Sequence, residues 1–173
     1  MMKVIETERL LLRPLEELDA EELYHIYSVP ENVRFMGKGS RSIDELREHI
    51  SRHIMDHPGT GPGLSAAFLK QTGEMIGRAG LFFSNIDGVS EVELAYLVDR
   101  NHWGKGYATE ASQRILDYGF GDLGLERIIA IIHPLNSGSI RVADKCGFTY
   151  ERSLSDYKDF GDVGLYSSIR PAL

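Results

Sequence analysis

The sequence has little of what marks secreted and membrane-spanning proteins. It contains one cysteine, which cannot form a disulfide within the chain, so a reducing cytoplasm is the expected compartment. No apolar run approaches the roughly 20 residues that are needed to cross a bilayer. The first residues, Met1 to Glu6, lack the apolar stretch of a secretory signal. We therefore expect a cytoplasmic protein without a membrane partner.

Basic residues are also in the minority. The chain has 19 lysines and arginines against 26 aspartates and glutamates, and its formal net charge is −7. Because nucleic-acid binding usually requires a basic face, we expect no nucleic-acid partner. The acidic balance suits a cationic acceptor such as an amine, but acidic surfaces are at least as common in cytoplasmic proteins that have no such acceptor.

Residues at metal-ligand spacing are few. His49, His53 and His57 recur every four residues and could share one face of a helix, where they could bind a metal. No carboxylate or thiol completes such a set, so a solvated or cleft-lining face is the favoured interpretation. The sequence therefore predicts no metal site.

The sequence does contain enough apolar material for one core. With 173 residues, of which 42% are hydrophobic and 26% charged, we expect a single domain over residues 1–173. Capping-box patterns at Asp19–Glu22 and Ser42–Glu45 predict two early helices. Residues 58–63 are interpreted as a connection, because a strand pattern follows them.

A glycine-punctuated loop is the most informative stretch. The apolar run Val92–Val98 is followed by Gly104 and Gly106 and then by a helical pattern over residues 107–121. The first amides of a helix have no intrahelical partner, and the helix dipole adds positive charge at that end. Glycines also lack the Cβ atoms that would keep a phosphate away from the backbone. We therefore predict a phosphate site at the start of this helix.

The loop does not match two common nucleotide-binding patterns. The third glycine of the dinucleotide fingerprint is missing, and the loop does not follow the first strand of the chain. The P-loop pattern G-x-x-x-x-G-K-[ST] is absent as well. A bare G-x-G before a helix is a weak signal, and by itself it fits a structural turn equally well.

A second apolar run, Ile128–Ile132, is continuous rather than alternating. Such a run predicts a strand covered on both faces, usually with a parallel neighbour. A right-handed crossover through the predicted helix would place it beside Val92–Val98. Other strands are predicted near Arg9–Arg13, Leu64–Leu69 and Met75–Phe83, and in a hairpin that closes the chain through a turn at Gly161.

The loop resembles the acetyl-CoA signature of the GNAT superfamily of N-acetyltransferases. The signature reads Asn101-x-x-Gly104-x-Gly106 here. The overlapping stretch Trp103–Ala111 looks most like the RimJ/RimL-like branch of ribosomal-protein N-terminal acetyltransferases, as do Thr7–Pro14 and Lys145–Phe148. The resemblance implies a mixed α/β (α+β) three-layer fold. Its sheet would be mostly antiparallel, with about seven strands, splayed parallel strands 4 and 5, and about four flanking helices.

The resemblance also implies acetyl-CoA as cosubstrate, with no metal. Its pyrophosphate would lie on backbone amides of the glycine loop, and its pantetheine arm between the two parallel strands. Asn136 matches a family asparagine that contacts this arm, although an N-cap role is the alternative. The implied cofactor-binding residues are Leu97 and Val98, whose amides would face the thioester oxygen, together with Gly104, Lys105, Gly106, Tyr107, Ala108 and Asn136.

Three residues are candidates for the chemistry. Glu93 occupies the strand position of the family's general base, and a surface acid is the alternative interpretation. Asn136 is the second candidate. Ser139, the third, stands where the family places a small residue near the thiol. The tyrosine that many relatives carry seven residues beyond the asparagine is Ala143 here, so Ser139 or a water is left to assist the departing thiolate.

The predicted function is acetyl transfer from acetyl-CoA to a primary amine, by direct attack in a ternary complex. The resemblance favours a protein N-terminal α-amine as acceptor. The alternatives are a small amine, such as a polyamine, an amino acid or an aminoglycoside-like compound, and a non-catalytic CoA-binding sensor. The sequence is compatible with a monomer or a homodimer.

Overall fold

An eight-stranded sheet forms the centre of this computed structural model, which describes residues 3–57 and 61–171. The spatial order is β1-β2-β3-β4-β5-β6-β8-β7, and neighbouring strands are antiparallel except for β5 and β6. The strands are β1 Ile5–Glu6, β2 Leu10–Pro14, β3 Gly63–Leu69, β4 Met75–Ile86, β5 Val89–Val98, β6 Arg127–Ile132, β7 Thr149–Leu154 and β8 Val163–Ile169. The first half of the predicted connection, residues 58–60, lies outside the described residues.

Five α-helices are found in the described part of the chain. They are α1 Ala20–Tyr27, α2 Pro30–Val33, α3 Ile43–Asp56, α4 Tyr107–Asp117 and α5 Ser137–Lys145. A π-helical turn, Tyr118–Asp122, extends α4. The predicted mixed fold is confirmed. It has one strand more than expected, because of the two-residue β1, so the parallel pair is β5 and β6. It has one helix more, because α2 is a single turn that begins at Pro30.

The helices cover the two faces of the sheet in separate layers. One core joins β1, β2, Leu94 of β5 and Ile128 of β6 to α4 and α5. A second core joins Leu64 of β3 and Leu97 of β5 to α1 and α3. Because successive side chains of a strand point to opposite faces, Leu94 and Leu97 identify the faces on which their neighbours lie. Glu91, Glu93 and Ala95 therefore share the α1/α3 face with Leu97.

The two predicted capping boxes have different outcomes. The Ser42 side chain accepts from the Glu45 amide and the Glu45 carboxylate accepts from the Ser42 amide, so this prediction is confirmed. The Asp19–Glu22 prediction is wrong. The buried Asp19 carboxylate accepts from Arg13 at 2.6 and 2.8 Å and from the Glu16 amide at 2.8 Å. A charged partner on β2 thus takes the carboxylate that would have capped α1.

The parallel strands β5 and β6 pair at a single position and then diverge. Glu93 and Ile129 are the paired residues in the described structure. Beyond them β5 stays paired with β4 as far as Val98, while β6 stays paired with β8 as far as Ile132. A gap therefore opens between the carboxyl-terminal halves of two adjacent strands, and Glu93 lies at its vertex.

Among the described residues, no helix is both long enough and apolar enough to cross a bilayer.

Candidate active site

Two helix N-termini meet the open end of the gap. The chain leaves β5 into the glycine loop and α4, and it leaves β6 into the Asn136 turn and α5. Crevices at the carboxyl ends of parallel strands, where neighbouring connections diverge, are the usual ligand sites of α/β sheets. The topology therefore brings together the two stretches from which the sequence predicted cofactor binding.

The glycine loop has the geometry of an anion cradle. Gly104 and Gly106 have φ values of +75° and +83°, which side-chain-bearing residues rarely adopt. A Cβ atom at Gly104 would have no heavy atom within 4 Å, so the space above the backbone is open. Within residues 3–57 and 61–171, no acceptor contacts the amides from Gly104 to Thr109. These amides, at the positive end of α4, are available to a phosphate.

The loop between β1 and β2 braces this cradle. Arg9 Nη1 donates to the Lys105 carbonyl oxygen at 2.9 Å, and its guanidinium lies over the Tyr107 ring at 4.5 Å. The Glu110 carboxylate accepts from Thr7 Oγ1 at 2.5 Å, from the Arg9 amide at 2.8 Å and from Arg9 Nε at 2.6 Å. No role was predicted from the sequence for Thr7, Arg9 or Glu110. The available signal was that these residues lie in two stretches that both carry the family resemblance.

The basic residues near the cradle are tied to the protein in different ways. Lys105 is exposed, and its Nζ donates to the Asn101 carbonyl oxygen at 3.1 Å. Arg100 forms an ion pair with Glu31 at 2.8 Å. Tyr107 and Ala108 form the half-buried first turn of α4. The structure thus places the predicted loop residues together at one helix entrance.

The amides of Leu97 and Val98 point in opposite directions. The Asp99 amide donates to Ile76 of β4 at 2.8 Å, and the Leu97 carbonyl oxygen lies against Gly77 of the same strand. Because amide directions alternate along a strand, the Leu97 amide points towards β4, as the Asp99 amide does. The Val98 amide points to the other side, and the Val98 carbonyl oxygen accepts from Trp103 Nε1 at 2.7 Å. The geometry favours Val98 over Leu97 as a donor into the gap.

The start of α5 forms the opposite wall of the gap. Asn136 is the N-cap, and its Oδ1 accepts from the Ser139 amide at 3.1 Å. The hydroxyl of Tyr96, on β5, donates to the Ser139 carbonyl oxygen at 3.4 Å. Ala143, one turn further along α5, is small and buried. Tyr96 was not predicted from the sequence, because its partner lies on α5 and no local pattern specifies the contact.

Glu93 is half-buried at the vertex of the gap. Burial raises the pKa of Glu93 to about 7, although a hydrogen bond from Ser84 and the charges of Lys158 and Arg78 oppose the rise. Its strand neighbours are Phe82 of β4 and Ile129 of β6. A carboxylate that titrates near neutral pH, beside an open gap, can accept a proton from an amine.

The histidines at metal-ligand spacing take structural positions, and so do His133 and Cys146. His53 Nε2 accepts from the Leu64 amide at 2.8 Å, and His57 Nε2 accepts from the Phe83 amide at 3.2 Å. The described residues contain no cluster of three metal-binding side chains. His133 Nδ1 accepts from the Leu135 amide at 3.1 Å. Cys146 is buried, and burial raises the pKa of its thiol to about 11, which opposes a nucleophilic role.

Comparison with known proteins identifies what the chain resembles. The family described as "Acetyltransferase (GNAT) domain" matches residues 9–149. The "Uncharacterized N-acetyltransferase p20" of Bacillus licheniformis is 38% identical over 160 residues, which are 91% of this chain and 88% of that protein.

Solved structures show the same fold. A GNAT-family acetyltransferase from Bacillus anthracis aligns with a TM-score of 0.80 at 26% identity, covering 96% of this chain and 98% of that one. RimL, a ribosomal L7/L12 α-N-protein acetyltransferase solved in complex with coenzyme A, aligns with a TM-score of 0.80 at 20% identity, again covering 96% and 98%.

The raised pKa of Glu93 predicts a pH-dependent contribution to stability. The folded state holds the Glu93 proton up to about pH 7, whereas the unfolded chain releases it near 4.5. The contribution is therefore fully present below pH 4.5 and is lost as the pH rises to about 7. Glu93→Gln keeps a neutral side chain, so raising the pH from 5 to 8 should destabilise the wild type by about 1–3 kcal/mol more than this variant.

Urea denaturation at both pH values measures this difference, with Glu8→Gln, a change at an exposed glutamate, as the control. Parallel pH dependence in the wild type and Glu93→Gln would show that Glu93 is not buried as described.

Proposed function

The chain belongs to the GNAT acetyltransferase family, and on that premise we propose that it acetylates the α-amine at a protein N-terminus. The main support is one juxtaposition. Unpaired amides at the start of α4 lie at the open end of a strand gap whose vertex holds Glu93. A ligand anchored by phosphate at the first place can extend its reactive end towards the second.

The cradle fits the pyrophosphate of acetyl-CoA. Gly104 leaves the backbone open, a Cβ atom at Gly106 would meet Arg9 Nη2 at 3.4 Å, and Arg9 and Lys105 add positive charge beside the loop. The gap between β5 and β6 offers strand backbone to the pantetheine amides, and Asn136 stands at its edge. When bound, acetyl-CoA supplies an acetyl group activated as a thioester. The residues present are therefore compatible with this cosubstrate.

We assign each step of the transfer to a residue of the gap. Glu93, directly or through a water, takes a proton from the attacking amine. The bond from the amine nitrogen to the acetyl carbon forms, and the carbon–sulfur bond breaks. The Val98 amide donates to the acetyl oxygen as negative charge develops there. Tyr96 and Ser139 line the wall where the sulfur departs. The Tyr96 hydroxyl, by turning from the Ser139 carbonyl oxygen, can donate a hydrogen bond to the sulfur before solvent supplies the proton.

The α-amine is the acceptor that matches Glu93 best. A free α-amine has a pKa of about 7.7–8.0, close to that of Glu93, whereas a lysine-like amine titrates near 10.4. Proton transfer to Glu93 is therefore less unfavourable from an α-amine than from a lysine-like amine. Among the relatives, YdaF of Bacillus subtilis, a candidate ribosomal N-acetyltransferase by name, is 28% identical over 156 residues.

A polyamine acceptor is the second candidate. The spermidine N(1)-acetyltransferase of Vibrio cholerae is 28% identical over 168 residues, which cover 94% of this chain. The α1/α3 face of the sheet, where Glu93 lies, also carries the buried cation Arg78, which disfavours a polycation. A protein N-terminus fits that face better.

The function is tested by following thiol release from acetyl-CoA with peptides, polyamines and aminoglycosides as acceptors. We expect turnover with peptides, and Glu93→Gln should lower kcat about 100-fold while the Kd for acetyl-CoA is unchanged. The kcat of the wild type should rise with pH through about 7 as Glu93 ionises. Binding without turnover of any amine would instead indicate a CoA sensor. An unchanged kcat in Glu93→Gln would remove Glu93 as the base.

The cradle is tested by a matched pair of glycine variants. Gly106→Val should weaken acetyl-CoA binding by about tenfold or more, because the side chain crowds the backbone and the left-handed conformation is lost. Gly88→Val carries the same conformational strain, with φ of +85°, in the hairpin between β4 and β5. Calorimetry should show normal binding by Gly88→Val. Equal affinities in the two variants would place the pyrophosphate elsewhere.

The role of Tyr96 is tested by Tyr96→Phe. Loss of one hydrogen bond to a developing thiolate should lower kcat about tenfold at unchanged acetyl-CoA affinity. Tyr150→Phe, on the exposed strand β7, should leave kcat as it is. Wild-type turnover by Tyr96→Phe would leave Ser139 or water as the sulfur's partner.

A further inference from the structure

Arg78 is a buried cation without a carboxylate partner. It lies on β4, on the α1/α3 face opposite Leu97, and it is only 7% exposed. Its Nε donates to the Tyr27 hydroxyl at 2.6 Å. Within residues 3–57 and 61–171, the buried Nη1 has no hydrogen-bond partner, and the guanidinium's hydrogen bond goes to Tyr27 and not to a carboxylate. Arginine is rarely buried to this extent unless it is paired.

Titratable side chains surround Arg78 on the α1/α3 face. The charge of Arg78 lowers the pKa values of His49 and His53 on α3, although burial is the larger cause for both. Burial raises the pKa of Glu93, and the charge of Arg78 lowers it by a smaller amount. The nearby groups that titrate therefore leave the positive charge of Arg78 poorly compensated near neutral pH.

A structural explanation accounts for only part of this arrangement. The bond from Nε to the fully buried Tyr27 attaches α1 to the sheet. A neutral donor at this position would serve that purpose without the cost of burying a charge. The unpaired Nη1, in contrast, offers a charge-assisted hydrogen bond to an anion.

We propose that Arg78 binds a carboxylate of the acceptor, and that the substrates are polypeptides with an acidic residue at the second or third position. This inference depends on the proposed transfer to an α-amine. Arg78 is paired with Leu97 of the neighbouring strand, and Leu97 is four residues from Glu93. The Cα atoms of Arg78 and Glu93 are therefore separated by about 13 Å along the strand direction. A bound amine and carboxylate must therefore be several bonds apart. An extended chain advances about 3.3–3.6 Å per residue, so one or two residues cover about 3–7 Å of this separation. The long side chains of Arg78 and of the substrate acid span the remainder, which places the acid one or two residues beyond the amine.

The inference is tested with short peptides that differ only by Glu or Gln. Substitutions at positions two and three test the site, and one near the peptide's carboxyl end is the control. The wild type should acetylate the Glu peptides with a kcat/KM about tenfold or more above that of their Gln partners, through a lower KM. The distal pair should not differ. Free glutamate and its amides form a second arm, which shows whether the carboxylate can come from an amino acid.

Two variants separate recognition from structure. Arg78→Gln should abolish the preference by slowing the Glu peptides while leaving the Gln peptides little changed. Tyr27→Phe removes the bond to Nε but keeps the guanidinium, so it should retain the preference. If Arg78→Gln does not fold, Arg78→Lys, which keeps the charge without the planar fork, should show a reduced preference.

Equal kcat/KM values within the wild-type pairs, or a preference that survives in Arg78→Gln, would overturn the inference. A preference for free glutamate over its amides and over every peptide would also overturn the polypeptide assignment. These results differ from a failure of the proposed function, in which no peptide would be acetylated at all.

Discussion

The single pairing of β5 with β6 at Glu93 and Ile129 is the constraint on which the site depends. If the two parallel strands stayed paired, their backbone N–H and C=O groups would bond to each other, and no room would be left for a ligand. Here each strand keeps an antiparallel partner on its outer side, β4 for β5 and β8 for β6. The sheet therefore remains continuous while a gap opens within it, and the two following helices begin at its mouth.

The two sides of this gap are built from different kinds of group. On the α4 side, main-chain amides and glycines form the cradle, and Arg9 and Glu110 fix its position. On the α1/α3 face lie two side chains, that of Glu93, whose neutral form is favoured by burial, and that of the buried Arg78. Backbone donors suit a ligand that is always the same, whereas side chains can change with the acceptor.

This division explains what could be predicted from the sequence. The glycine loop, the start of α4 and the cap at Asn136 depend on residues close together in the chain, and the structure places them as expected. The capping box at Asp19 was wrong because Arg13, on a separate strand, binds that carboxylate more strongly than a helix amide would. Arg78 and Tyr96 were missed for the same reason. Their surroundings come from α1, α3 and α5, and no local pattern specifies them.

The same reasoning bears on how the acceptor is chosen. The cradle and the gap are compatible with any amine that reaches the thioester, and a spermidine acetyltransferase is among the relatives. Selection among amines requires a group that favours one acceptor and opposes another. In the proposal made above Arg78 does both, because a buried guanidinium attracts a carboxylate and repels a second ammonium. The proposal therefore pairs a neutralisable acid at the vertex with a cation further along the same face, an arrangement suited to an acceptor with one amine and a nearby acid.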